Sequence, residues 1–191
     1  MVEGTSSSFP VKGLTVTGNS YIASDASGSC NASTAEGCTS TPVDAYEQHI
    51  TQLEFTENVA TNINRASASD ARALDLRYAT VGRLTVSGNT FTAPYFRARQ
   101  AVVDLAYANL DRFEITGNAF TQMSGNSDAE DSAAAIVLPT DRRIGTGGRI
   151  SDNQFRAPGN LNTQAIHSYG PQSNDPPTNA PQLRNSYRGN H

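Results

Sequence analysis

The chain has 191 residues, enough for one domain, with 37% hydrophobic residues and a net charge of −4. The acidic balance leaves no basic stripe for nucleic acid. No window approaches the run of about 18 apolar residues that a membrane-spanning helix needs.

The first patterned stretch is Val11–Tyr21, VKGLTVTGNSY, and its pattern returns along the chain. Leu14 and Val16 alternate with polar residues, which is the period-two signature of a half-buried strand. Gly18-Asn19 follows as a bend needing positive φ, and Tyr21 sits two positions beyond the asparagine. A polar insertion over 23–42 comes next, holding the two cysteines, Cys30 and Cys38. A cysteine pair closing a short loop points to a disulfide and an oxidising compartment, the alternative being two free thiols.

The second repeat opens with PVDAY (42–46) and continues into TQLEFTENVA (51–60). The third has ALDLR (73–77) and LTVSGNTF (84–91), and the fourth VVDLA (102–106) and RFEITGNAF (112–120). The fifth carries Ile136, Val137 and Leu138, then GGRISDNQF (147–155). The sixth offers Ile166, His167 and Ser168, a turn-rich stretch over 169–181, and RNSYRGNH (184–191). The other insertions, at 61–72, 92–101, 121–133 and 156–163, all follow the aromatic position and precede the next repeat.

Asn19, Asn58, Asn89, Asn118 and Asn153 therefore recur at steps of 29 to 39 residues. A period of about 30 residues calls for a solenoid, with each repeat read as two strands and three bends. Like positions in successive coils then stack about 4.8 Å apart in parallel strands. The asparagines can form a side-chain amide ladder that satisfies polar groups at the bend. Tyr21, Phe91, Phe120 and Phe155 form an inward aromatic column that Ala60 interrupts.

The xLxVxGNxF pattern, its spacing and the asparagine column resemble the right-handed parallel β-helix repeats of the pectin-lyase-like superfamily, over nearly the whole chain. The expected fold is all-β, a single segment over 1–191 with about six coils of roughly 30 residues. Both ends read as cuts through a longer β-helix, so the rest of such a chain is an expected partner. The superfamily includes pectate and alginate lyases, polygalacturonases, carbohydrate epimerases, phage tailspikes and bacterial surface adhesins. The resemblance implies a secreted or cell-surface location and contact with polysaccharide or surface glycan. It also implies an alternative, a structural stalk or passenger-like adhesin segment without catalysis. No catalytic signature of the superfamily matches residue for residue.

Fourteen residues before three of the asparagines stand Asp44, Asp75 and Asp104. Val43, Leu74, Leu76, Val103 and Leu105 flank them on the opposite parity, so the aspartates are expected to face solvent. At an effective dielectric near 20, adjacent carboxylates at this spacing repel by roughly 3 kcal/mol. Arg77 could bridge two of them, a hard cation such as Ca²⁺ could sit between them, or one could stay protonated. Paired carboxylates of the last kind serve glycoside cleavage, which makes the three aspartates the catalytic candidates of a lyase or hydrolase. The plainer alternative is a solvated acidic strip neutralised by Arg77 and by loop arginines such as Arg97 and Arg99. Tyr46 and Tyr169 offer rings for stacking on sugars, and His167 continues the aspartate column. No phosphate loop, nucleophile elbow, HExxH or Ca²⁺-binding nonapeptide occurs, so no cofactor is expected beyond that Ca²⁺ option.

Overall fold

The computed structural model describes residues 10–22, 41–61, 72–92, 101–121, 133–139, 144–157, 163–168 and 182–189. The insertions, and with them Cys30, Cys38, Arg97 and Arg99, lie largely or wholly outside these residues, as does Tyr169. Within them the chain is all-β. Its strands are β1 (Leu14–Thr17), β2 (Ser20–Ile22), β3 (Val43–Asp44), β4 (His49–Thr56), β5 (Val59–Thr61), β6 (Leu74–Asp75), β7 (Thr80–Ser87) and β8 (Thr90–Thr92). They continue with β9 (Ala101–Asp104), β10 (Asn109–Thr116), β11 (Ala119–Thr121), β12 (Ala133–Leu138), β13 (Ile144–Ala157), β14 (Thr163–Ser168) and β15 (Gln182–Gly189). Among the described residues no helix is long and apolar enough to cross a membrane.

Every strand pair is parallel, and the pairs form two sheets. One runs β3–β6–β9–β12–β14. The other runs β1–β4–β7–β10–β13 and returns through β11, β8, β5 and β2, with β15 against β13. The second, third and fourth repeats therefore each contribute three strands where the sequence pattern predicts two. The third holds only three residues in β2, β5, β8 and β11, too short for alternation to register. In β13 the second and third strands join into one run of 14 residues.

The repeat pattern sets the register. Leu14, Leu53, Leu84 and Phe113 align across β1, β4, β7 and β10. The bend before each asparagine is left-handed, with φ of 66° at Gly18, 65° at Gly88 and Gly117, 57° at Glu57 and 59° at Asp152. Asn58, Asn89, Asn118 and Asn153 are buried at that bend. The backbone N–H of each asparagine from Asn19 to Asn118 donates to the side-chain oxygen of the next, at 2.8–3.0 Å. Each side-chain amide donates to the same oxygen at 2.9–3.1 Å. The amides of Asn58, Asn89, Asn118 and Asn153 also reach carbonyls of the preceding repeat, those of Val16, Phe55, Val86 and Ile115, at 2.8–2.9 Å.

Two size exchanges fill the core. Phe91, Phe120 and Phe155 stack at centroid spacings of 5.0 Å. Where Ala60 interrupts that column, Phe55 from the neighbouring one stacks on Phe91 at 6.2 Å. Phe113 in turn aligns with Gly148, and a Cβ on that glycine would lie 2.0 Å from the phenylalanine ring. Gly148→Ala should thus force the buried ring off its position and lower stability by about 1–3 kcal/mol, readable as a reduced melting temperature.

Candidate functional site

The sequence-predicted aspartates come together on the five-stranded sheet. Asp44 aligns with Asp75, Asp75 with Asp104, Asp104 with Val137 and Val137 with His167. The expected spacing holds, but the expected solvent exposure does not. Asp75 is 4% exposed and Asp104 3%, while Asp44 is half-buried. The reason is local capping plus ion pairing from outside the strand.

Each aspartate first caps its own turn. Its Oδ1 accepts the backbone N–H two residues on, from Tyr46 at 3.2 Å, Arg77 at 3.1 Å and Ala106 at 3.0 Å. The remaining carboxylate capacity of the two buried members goes to guanidinium groups. Arg77 grips Asp75 in a bidentate pair, with Nη2 to Oδ2 at 2.7 Å and Nε to Oδ1 at 3.0 Å. Arg72, itself buried, donates from Nε to Asp104 Oδ2 at 2.7 Å and reaches Asp75 Oδ2 at 3.7 Å. Arg77 Nε also lies 3.9 Å from Asp104 Oδ2, so it bridges two rungs.

Two carboxylates thus face two guanidinium groups, and the repulsion expected of the column is offset within the chain. The same oxygens are those a Ca²⁺ ion would use. Among the described residues, no group of three His, Cys, Asp or Glu side chains is placed to hold a metal ion.

The turn that follows the aspartates carries a second row, which the sequence reading missed apart from Tyr46. Tyr46 meets Tyr78 edge to face at 5.5 Å, and Tyr78 stacks on Tyr107 at 4.9 Å. The Arg77 guanidinium carbon lies 5.3 Å from the centre of the Tyr46 ring, over its face. Tyr46 is 38% exposed and Tyr78 46%. Partial desolvation, then the charge and hydrogen bond of Glu47, hold the Tyr46 hydroxyl above the ordinary phenol range, with Arg77 acting against them.

The catalytic candidate Asp44 and the binding candidates Tyr46 and Arg77 share one edge, through the Tyr46 N–H to Asp44 Oδ1 bond and the Arg77 guanidinium over the Tyr46 ring. His167 takes its place in the column through its backbone register. Arg72 went unnoticed because it lies at the end of an insertion, outside the strand pattern. Tyr78 and Tyr107 occupy a turn position where tyrosine carries no turn signal. No protein-family model matches the chain, and no curated protein or solved structure matches it.

Proposed function

We propose that the chain is a right-handed parallel β-helix segment of pectin-lyase-like type that binds polysaccharide at a secreted or cell-surface location. Two in-register parallel sheets fed by the same repeat support the β-helix. The strong preference for right-handed crossovers between parallel strands of one sheet supports its hand. The observation that carries the binding function is the convergence of Asp44, Tyr46 and Arg77 on one turn edge with the tyrosine ring partly open. Tyr46 stacks on a sugar, the Asp44 carboxylate accepts a sugar hydroxyl, and Arg77 fixes the ring from the far side. Asp75 and Asp104 hold this edge in place through Arg77 and Arg72.

A glycan array of neutral and acidic polysaccharides tests this. Tyr46→Ala combined with Asp44→Asn should lower binding roughly tenfold with the melting temperature retained. Release of reducing or unsaturated ends from a bound polymer would extend the function to catalysis. Absence of binding to every polymer would sink it in favour of a structural stalk or adhesin passenger, the reading that the continuous asparagine ladder favours.

A further inference from the structure

Tyr78 and Tyr107 are held face to face, and sugar binding at Tyr46 leaves that contact unused. Their ring centroids are 4.9 Å apart and the rings lie 15° from parallel. They occupy the same position of adjacent turns, 76–79 and 105–108. Ala79 N–H donates to the Leu76 carbonyl and Ala108 N–H to the Leu105 carbonyl, both at 3.0 Å. Matching backbone angles, φ 60° at Tyr78 and 59° at Tyr107, send both side chains the same way. The two turns are also bonded to each other. Leu76 N–H donates to the Asp104 carbonyl at 2.9 Å, and Tyr78 N–H to the Ala106 carbonyl at 3.2 Å. Tyr107 packs on Ala101, Ala106, Ala134 and Val137, which limits its freedom. The fold therefore presets the pair before any reaction.

No other pair in the row has this geometry. In the neighbouring turn Glu47 holds the equivalent position, at φ 59°, and brings no ring. Tyr46 comes from one residue earlier and meets Tyr78 edge-on, at 5.5 Å and 63°. The Arg77 guanidinium lies over the Tyr46 ring. A cation there makes loss of an electron from that ring less favourable.

We propose that Tyr78 and Tyr107 form an oxidative cross-linking site, at which a one-electron oxidant of the peroxidase class joins the two rings as dityrosine. Tyr78 is 46% exposed and open to such an oxidant. Each phenol gives up one electron and its hydroxyl proton. The phenoxyl radical that remains shares its unpaired spin with the ring carbons ortho to oxygen. Side chains that leave equivalent positions and stack nearly parallel set like carbons beside each other. The two radicals pair there in a new carbon–carbon bond. The hydrogen on each joined carbon then moves to the adjacent oxygen and restores the phenols. The two electrons and two protons released reduce one hydrogen peroxide to two waters. The product ties two successive repeats together and restricts the unfolded chain, as any cross-link does.

Dilute protein treated with a haem peroxidase and one equivalent of hydrogen peroxide tests the site. The expected product is a monomer lighter by two hydrogens, with dityrosine fluorescence. Its proteolytic map should contain a peptide pair that joins Tyr78 to Tyr107. Its melting temperature should rise by roughly 5–10 °C on the chain-entropy scale for a loop of this span. Tyr78→Phe and Tyr107→Phe should each abolish the link, because phenylalanine keeps the stacked ring and has no hydroxyl to oxidise. Tyr46→Phe should leave the link in place. A link between any other pair, dimers as the sole product, or an unlinked chain once the peroxide is consumed would each overturn the site. So would a linked monomer that melts no higher than the free chain, since preset rings join without strain.

Discussion

Asn89→Asp will lower stability by roughly 3–5 kcal/mol at neutral pH and will recover part of that loss as the pH falls. The Asn89 side-chain oxygen accepts from the Asn58 backbone at 2.8 Å and the Asn58 amide at 3.1 Å. Its own amide donates to the Phe55 carbonyl at 2.8 Å and to the Asn118 side-chain oxygen at 2.9 Å. A carboxylate keeps the accepting half and sets its second oxygen against two acceptors in a buried place. Protonation restores one donor and removes the buried charge. The folded-state pKa of the new carboxyl group therefore lies above its unfolded value of about 3.9. A raised acid pKa means that the folded state binds the proton more tightly. The part of the penalty due to charge is then absent below the unfolded pKa, grows as the pH rises toward the folded one, and stays full above it, while the cost of the one donor not restored persists throughout. Urea unfolding of variant and wild type over a pH series gives the difference. A difference that does not change with pH would contradict the ladder geometry.

The second large effect belongs to Arg72. Arg72→Met leaves the buried Asp104 without its 2.7 Å partner and weakens the compensation of Asp75. Breaking one side of a buried pair typically costs about 3–5 kcal/mol, because the remaining charge stays desolvated. Adding Asp104→Asn should recover most of the loss. The amide oxygen of the introduced side chain can still accept the Ala106 N–H, so the turn keeps its cap while the charge is gone. Chemical denaturation of both single variants and the double variant completes a mutant cycle, with an expected coupling of about 1.5–3 kcal/mol. Additive losses would mean that the two residues do not share one electrostatic unit.

These two sites differ in how far the sequence announced them. The asparagine ladder could be read directly, because each rung repeats the same neighbours: alternating aliphatics, a left-handed bend and an aromatic two places on. Registers such as Leu53 with Leu84 and Asn58 with Asn89 follow from that repetition. The aspartate column was legible in its alignment and misleading in its burial. Alternation along β6 and β9 assigns Asp75 and Asp104 to the outer face, and period-two reasoning equates that face with water. Arg72 and Arg77 close over it, and a side chain arriving from the end of an insertion leaves no trace in the strand pattern. The third strand escaped notice because three residues are too few to show a period. The tyrosine row escaped because the turn chemistry there departs from what glycine would have signalled.

The asparagine ladder also has a direction. The side-chain carbonyls of Asn58, Asn89, Asn118 and Asn153 each accept from the preceding rung, and the amides of Asn19, Asn58, Asn89 and Asn118 each give a hydrogen to the next rung, as in Asn58 to Asn89 and Asn89 to Asn118. The amide dipoles therefore add head to tail, and each polarises the next. The stack is a vector, with electron-rich oxygens leading toward Asn19 and donor hydrogens trailing toward Asn153. Any further rung joins only in the same orientation, since a reversed one would set oxygen against oxygen or hydrogen against hydrogen. Growth by such rungs is thus polar, like that of a filament with two unlike ends.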